Sequence, residues 1–410
     1  MRADQFLREG FVEIREHLGR TLLQTLGVIL GVASVVATLG MTASMDARRD
    51  QYFRESGGTL LMGVYNQPPA QLEMTARQRA KTGLKLADAA AIRDTIDGFD
   101  LVVAEIARSH RVRAGATEES FRITAIEPEF MQMRELRMGS GRYITALDME
   151  TAAAVVVLGS TRARELFGTA DPVGMAVTID GKAYTVVGVT KEMVFYWQRS
   201  DNYNAHEWLN RLIVVPITSY MKRHQEAGAE RIDELNLRLV SPEAHEEARK
   251  ALELLLRSRH GLEDYGVWDR KERIDQGNRE GMIYNITFLA CGIISLLVGG
   301  IVITNIMLAS FTERMREVGV RKALGATGWQ VFVQFLIEAI VVTVLGGAVG
   351  LALGIVFTWG IMNVMQMDMT LTPLMVMVAV LSAAVVGFFF GLYPAVKASR
   401  LDPVVALRYE

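Results

Sequence analysis

Four apolar runs constrain this chain more than any other feature: residues 22–45, 283–310, 331–362 and 373–395. Each is long enough to cross the hydrocarbon core of a bilayer, which takes about 20 apolar residues in a helix. Backbone polar groups in lipid must be satisfied within the segment, so each run is expected to be a transmembrane helix. Hydrophobic residues make up 50% of the 410, and the mean hydropathy is +0.20, apolar for a soluble protein. Residues 46–281 are far more polar, which separates a water-facing insert from the membrane part. The fold class expected is therefore an α+β membrane protein, four transmembrane helices with a large mixed α/β extracytoplasmic domain between spans 1 and 2. The first run is not a signal peptide by pattern, because it is too long and Asp4, Glu9, Glu13 and Glu16 precede it.

Orientation follows from the basic residues in short flanks. Arg2, Arg8, Arg15 and Arg20 precede span 1, and Arg314, Arg316, Arg321 and Lys322 lie between spans 2 and 3. Lys397, Arg400 and Arg408 follow span 4, whereas the connection 361–372 has no Lys or Arg. Both termini and residues 311–330 are thus expected in the cytoplasm, with 46–281 in the periplasm. In residues 6–20, Leu7, Phe11, Ile14 and Leu18 fall at helical spacing among charges. That reads as a cytoplasmic amphipathic helix over 1–21, lying on the membrane surface or on the protein's own inner side. Net charge is only −2, which gives no basic field for nucleic acid.

The insert alternates helix and strand patterns. Helices are expected over 86–96 and 160–167, and strands over 101–106, 121–126, 212–215 and 235–239. Asp180-Gly181 between 176–179 and 184–189 is a hairpin signal. Ser241 with Pro242 marks a helix start that Gly261 ends, and 267–268 is a last strand. The simplest organisation is two subdomains, with a β-rich one of about 130–210 inserted in the other. Residues 271–281 lead into span 2 as a helical stalk. An aromatic loop, 194–208, suits either a protein contact or packing on its own domain.

The segment 311–330 is charged and sits between two apolar runs. Glu313 and Glu317 stand four apart on one helix face, with Val318, Val320 and Leu324 beside them. Gly325 stops this helix and Thr327 caps the next. In the spans, Gly27 and Gly31, Gly346, Gly350 and Gly354, and Ala383, Gly387 and Gly391 recur every four residues, a spacing that lets helices pack closely and that could also serve a dimer seam. Glu338 is an intramembrane polar candidate, or an interfacial group paired with a nearby Arg. Met365, Met367 and Met369 lack a His or Cys partner, so they read as an apolar cap rather than a Cu(I) site.

No catalytic or metal constellation emerges. His206-Glu207 and His245-Glu246 lack the second His of HExxH, no Ser sits in GxSxG, and Cys291 is the single cysteine. GxxxxGK[ST] is absent, so no P-loop is present in these 410 residues.

Several stretches together resemble the MacB/FtsX-type ABC transporter permeases. They are RTLLQTLGVILGVASVVATLGM in span 1, DPVGMAVTIDGKAYTVVGV in the insert, ERMREVGVRKALGA after span 2, WQVFVQFLIEAIVVTVLGGAVGLALG in span 3 and YPAVKASRLDPVVALRYE at the tail. The resemblance implies a non-catalytic permease that works as a dimer, with a second copy or a sister permease. It implies ATP and Mg handled by a separate cytoplasmic ABC ATPase, and a MacB-like outer domain that moves when the ATPase works. Glu313, Arg314, Glu317, Arg321 and Lys322 would then make polar contacts to the ATPase, with Leu324, Gly325 and Ala326 as the close-packed tip. A periplasmic adaptor or outer-membrane partner and surrounding lipid complete the implied setting in the inner membrane. Two functions fit: export or extraction of a small molecule, peptide or lipoprotein, or regulation of an extracytoplasmic hydrolase or ligand signal.

Overall fold

The computed structural model describes residues 18–67, 75, 82–115, 117–199, 202–225 and 230–407. The amphipathic pattern at 6–17, and Arg408, lie outside them. The chain divides into two compact units, one of residues Arg49–Gly277 and one formed by the flanks on either side.

Among the described residues, four helices are long and apolar enough to cross a membrane: Leu18–Glu55, Arg270–Glu313, Gly328–Val364 and Pro373–Ser399. The second has 44 residues, which at 1.5 Å per residue is about 66 Å, twice the hydrocarbon thickness. Its first turns are the polar stretch 271–281, helical as the stalk pattern suggests. Glycine sets how these helices meet. A methyl on Gly27 would overlap the Gly299 backbone, so the first and second helices touch main chain to main chain. Gly31 faces Leu296, and a Cβ there would fall 2.6 Å from Leu296 Cγ. Gly346, Gly350 and Gly354 line the third helix against Thr25, Ile29 and Val36 of the first. Gly387 and Gly391 of the fourth helix meet Thr343 and Ala339 of the third. Val28, Val32, Leu296, Ile303, Phe335 and Ala379 fill the buried centre. All seven glycines singled out in the sequence are thus packed within one chain. After the third helix, Met367 is buried and Met369 packs on the same cluster, an apolar cap.

The unit Arg49–Gly277 is built on one ten-stranded sheet. Its strands are β1 (Leu61–Asn66), β2 (Phe99–Ala114), β3 (Thr117–Ile126), β4 (Met138–Gly141), β5 (Val155–Leu158), β6 (Ala176–Ile179), β7 (Lys182–Thr190), β8 (Ile213–Pro216), β9 (Glu234–Leu239) and β10 (Tyr265–Asp269). The order is β10-β1-β9-β2-β3-β8-β5-β7-β4, with β6 paired to β2 and β7. Strands of the 130–210 segment extend the sheet of the flanking segments rather than forming a second one. The period of two sorts the core: Val102, Ala104 and Ile106 of β2 face one cluster, and Val103 faces another. Val156 and Leu158 against Val157, and Ile213 and Val215 against Val214, divide the same way. These short continuous apolar runs are strands covered on both faces. Helices Leu86–Thr95, Ser160–Phe167, Ile217–His224 and His245–His260 cover the first face through Ile92, Leu166, Tyr220, Leu252 and Leu256.

Asp180 and Gly181 both have positive φ, +46° and +78°, as a two-residue type I′ turn needs. One boundary differs from the sequence pattern. The helix expected from Ser241 begins at His245, with Ala244 as its N-cap. His245 is held by the buried Asp269 carboxylate.

Candidate functional site

The second membrane helix ends at Glu313, and a short helix, Met315–Ala323, follows at once with Arg314 as its N-cap. Gly325 closes it at φ +103°, a conformation few other residues tolerate. Thr327 then caps the third helix through a reciprocal box. The Gln330 amide donates to Thr327 Oγ1 at 3.3 Å, and the Thr327 amide donates to Gln330 Oε1 at 2.9 Å.

The short helix lies on its own unit by one face. Val318 is buried, and Gly319 abuts Ala406 of the terminal helix Pro403–Leu407. Three of the four cations turn toward the protein. Arg314 reaches Glu338 at 3.4 Å, so that carboxylate is a paired group near the helix end. Arg321 bonds Glu317 at 2.7 Å and Gln334 at 3.2 Å. Lys322 Nζ donates to the Ser399 and Leu401 carbonyls at 2.9 and 2.6 Å, satisfying the open C-terminus of the fourth membrane helix. These geometries revise the expected division of labour, because Arg314, Arg321 and Lys322 are engaged in holding the segment to its own bundle.

What the segment presents outward is different. Leu324 is 84% exposed and Trp329 71%, with Val320 also exposed. Ala323 and Gly325 are exposed too, as are the charged Glu313, Arg316 and Glu317. Ala326 is half-buried. Trp329 stacks on Phe332, ring centroids 5.2 Å apart, which fixes its orientation. The tip is thus a small apolar knob with a polar rim, the composition of a docking surface. Trp329 was not singled out in the sequence, and Arg316 was read there only for orientation. The signal for Trp329 was its place two residues after a cap, at the mouth of an apolar helix.

Other expected features sort plainly. In the aromatic loop, Phe195 and His206 pack inward with Tyr52, whereas Tyr203 is 67% exposed. Burial lowers the His206 pKa, so the ring is neutral at physiological pH.

Residues 21–255 match the family described as the MacB-like periplasmic core domain, and residues 289–403 match the FtsX-like permease C-terminal family. The chain is 31% identical over 405 residues to the macrolide export ATP-binding/permease protein MacB of Burkholderia pseudomallei (strain 1710b), covering 98% of this chain and 59% of that protein. It is 30% identical over 414 residues to the uncharacterized ABC transporter permease YknZ of Bacillus subtilis (strain 168), covering 98% of each. The chain therefore spans about three fifths of the length of the MacB relative and nearly all of the YknZ relative. Among solved structures, the periplasmic region of MacB from Actinobacillus actinomycetemcomitans is similar at 19% identity and TM-score 0.44, over 55% of this chain and 95% of that one.

Proposed function

As this chain belongs to the MacB/FtsX-type ABC transporter permeases, we propose that it is the membrane subunit of such a transporter in the inner membrane and carries no catalysis itself. ATP and Mg are handled by a cytoplasmic ABC ATPase subunit, which docks on the knob formed by Val320, Leu324, Gly325 and Trp329. The observation that carries this reading is the 84% exposure of Leu324 at the tip of a helix whose cations are spent on its own bundle. An isolated exposed leucine is ordinary. A leucine at the end of a short helix pinned from behind, with an exposed tryptophan in the first turn of the next helix, is a prepared contact.

Motion at the knob reaches the bundle through Arg314–Glu338 and Arg321–Gln334, which tie the short helix to the third membrane helix, and through the Lys322 cap, which ties it to the fourth. Close glycine contacts make the first, second and third helices shift as packed units rather than bend separately. The first and second helices continue beyond their apolar stretches, to Glu55 and from Arg270, and carry that shift toward the periplasmic domain. The work done there is export or extraction of a small molecule, peptide or lipoprotein. A second permease, the same chain or a sister, completes the transporter, with an adaptor or outer-membrane partner on the far side.

The test is Leu324→Asp combined with Trp329→Ala, compared with wild type for co-purification of the ATPase and for its hydrolysis in the complex. The variant should remain folded in the membrane and lose the ATPase. Unchanged co-purification and hydrolysis would rule out the knob as the docking surface.

A further inference from the structure

Three side chains far apart in the sequence converge in the periplasmic unit. His110 is on β2, Asp180 is at the β6–β7 turn and His224 ends the helix Ile217–His224. One nitrogen from each imidazole and one carboxylate oxygen lie within 4.8 Å of one another. His110 Nδ1 is 2.6 Å from Asp180 Oδ2, and the other Asp180 oxygen accepts from the Arg111 amide at 3.0 Å. The two imidazoles are neighbours, with centroids 5.1 Å apart.

Each histidine also has an orienting partner. His110 Nε2 lies 2.7 Å from the Tyr220 hydroxyl, and His224 Nε2 lies 3.1 Å from the Tyr184 hydroxyl. A ring held by one nitrogen presents the other as a fixed donor atom, the arrangement found behind metal-ligating histidines. A hairpin clasp between Asp180 and β2 accounts for His110 but leaves the second imidazole without a role. His224 is neutral at physiological pH, its pKa pushed down to about 4 by burial and by the Lys182 charge, and neutral imidazole is the ligating form. Asp180 is a carboxylate, its pKa lowered by the His110 hydrogen bond.

We propose that His110, Asp180 and His224 form a three-ligand site for a divalent transition-metal ion, Zn²⁺ foremost, with a fourth position open to water. Two imidazoles and one carboxylate suit Zn²⁺ rather than Mg²⁺ or Ca²⁺, which favour oxygen ligands. Tetrahedral ligands about 2.0–2.1 Å from Zn²⁺ stand roughly 3.4 Å apart, so the His110–Asp180 pair, now at 2.6 Å, opens by about 0.8 Å to admit the ion. The ion takes the place of the proton between His110 Nδ1 and Asp180; the imidazole stays neutral, with its proton on Nε2 donated to the Tyr220 hydroxyl. Lys182 and Arg223 lie close enough to weaken a dication, so affinity is below that of a closed four-ligand structural site. Bound metal would pin the turn after β6 and the end of a helix to the long strand β2, stiffening this end of the sheet.

The experiment uses the full chain, purified in detergent with a tag free of histidine and stripped of metal. Zn²⁺ binding is measured by calorimetry and by metal analysis after dialysis, and Co²⁺ serves as a spectroscopic probe. Wild type should bind one Zn²⁺ per chain, gain thermal stability from it and give a tetrahedral Co²⁺ spectrum. Asp180→Asn and His224→Gln, which keep the hydrogen-bonding shapes, should each weaken Zn²⁺ binding by about 10–100-fold or more. Absence of stoichiometric Zn²⁺ in wild type, or wild-type binding in both variants, overturns the proposal. Should the variants fail to fold, the wild-type Co²⁺ spectrum decides: a tetrahedral spectrum upholds the site, and an octahedral aquo-like one overturns it.

Discussion

The two units of this chain bury their interiors by opposite means. In the membrane unit the helices meet where side chains are missing, at Gly27 against Gly299 and at Gly350 against Ile29. In the Arg49–Gly277 unit, large side chains such as Ile106, Leu252 and Tyr184 fill the space, and buried ionisable groups are paired, as His260 is with Asp264 and Asp88 and His245 with Asp269. The difference follows from the solvent. Lipid gives apolar side chains no reason to leave it, so helices associate through close approach and dispersion, and small residues permit that approach. Water expels apolar surface at roughly 25 cal/mol per Å², so size is an advantage there. The lesson is that adding volume should damage the first unit most, while removing a charge partner should damage the second.

Gly27→Leu tests this most severely. Its side chain has no path past the Gly299 backbone, and the variant is expected to lose the folded bundle, read as loss of the monodisperse peak in detergent chromatography. Gly27→Ala should cost about 1–3 kcal/mol in the same unit. If Gly27→Leu behaves as wild type, the close-approach account fails.

His260→Ala probes the other unit. His260 is buried between Asp264 and Asp88, at 2.6 and 3.2 Å, and Arg259 also pairs with Asp88. Removing the imidazole leaves buried carboxylates short of a partner, an expected loss of about 3–5 kcal/mol by denaturant titration. The same set fixes a pH dependence. Hydrogen bonds to Asp264 and Asp88 raise the His260 pKa to about 9, so its contribution is complete below pH 6.5 and fades as pH climbs toward 9. Asp88, which burial alone would raise, is brought to about 2 by His260 and Arg259, so its contribution fades only as pH falls from about 4 toward 2. The contribution of the His260 set should thus be flat between about pH 4 and 6.5 and drop by about 3 kcal/mol by pH 9, whereas His224, buried neutral with a pKa of about 4, makes the unit gain stability as pH rises from about 4 to 6.5. A drop of the same size in His260→Ala would exclude His260 as the cause.

Lys322→Met is a smaller change on the short helix Met315–Ala323, costing about 1–2 kcal/mol through the unpaired Ser399 and Leu401 carbonyls. Faster limited proteolysis near residue 402 is the readout. Leu324→Ala should be smallest, within about 0.5 kcal/mol of wild type, because Leu324 supports nothing in its own chain. A large loss of stability there would mean the knob is structural.

Much of this was legible in local pattern. The membrane helices, the Gly325 stop, the Thr327 cap and the Asp180-Gly181 turn each depend on a few adjacent residues, so their residue types announce them. Strands β1, β4 and β5 escaped, because short segments without alternation gain their structure only from the strands they pair with. The start at His245 escaped for a similar reason, since Asp269, distant in sequence, holds it.

The amino-acid order by itself determined that this is a four-span membrane protein with a folded insert, and which helix faces pack closely, because solvent preference and backbone sterics act residue by residue. It carried the family as well, through motifs spread along nearly the whole chain. Only the tertiary structure decided that Arg314, Arg321 and Lys322 turn inward while Leu324 and Trp329 turn out, and that His110, Asp180 and His224 meet. Those outcomes depend on the direction of side chains from separate elements, and direction is a property of the packed molecule rather than of any stretch of its sequence.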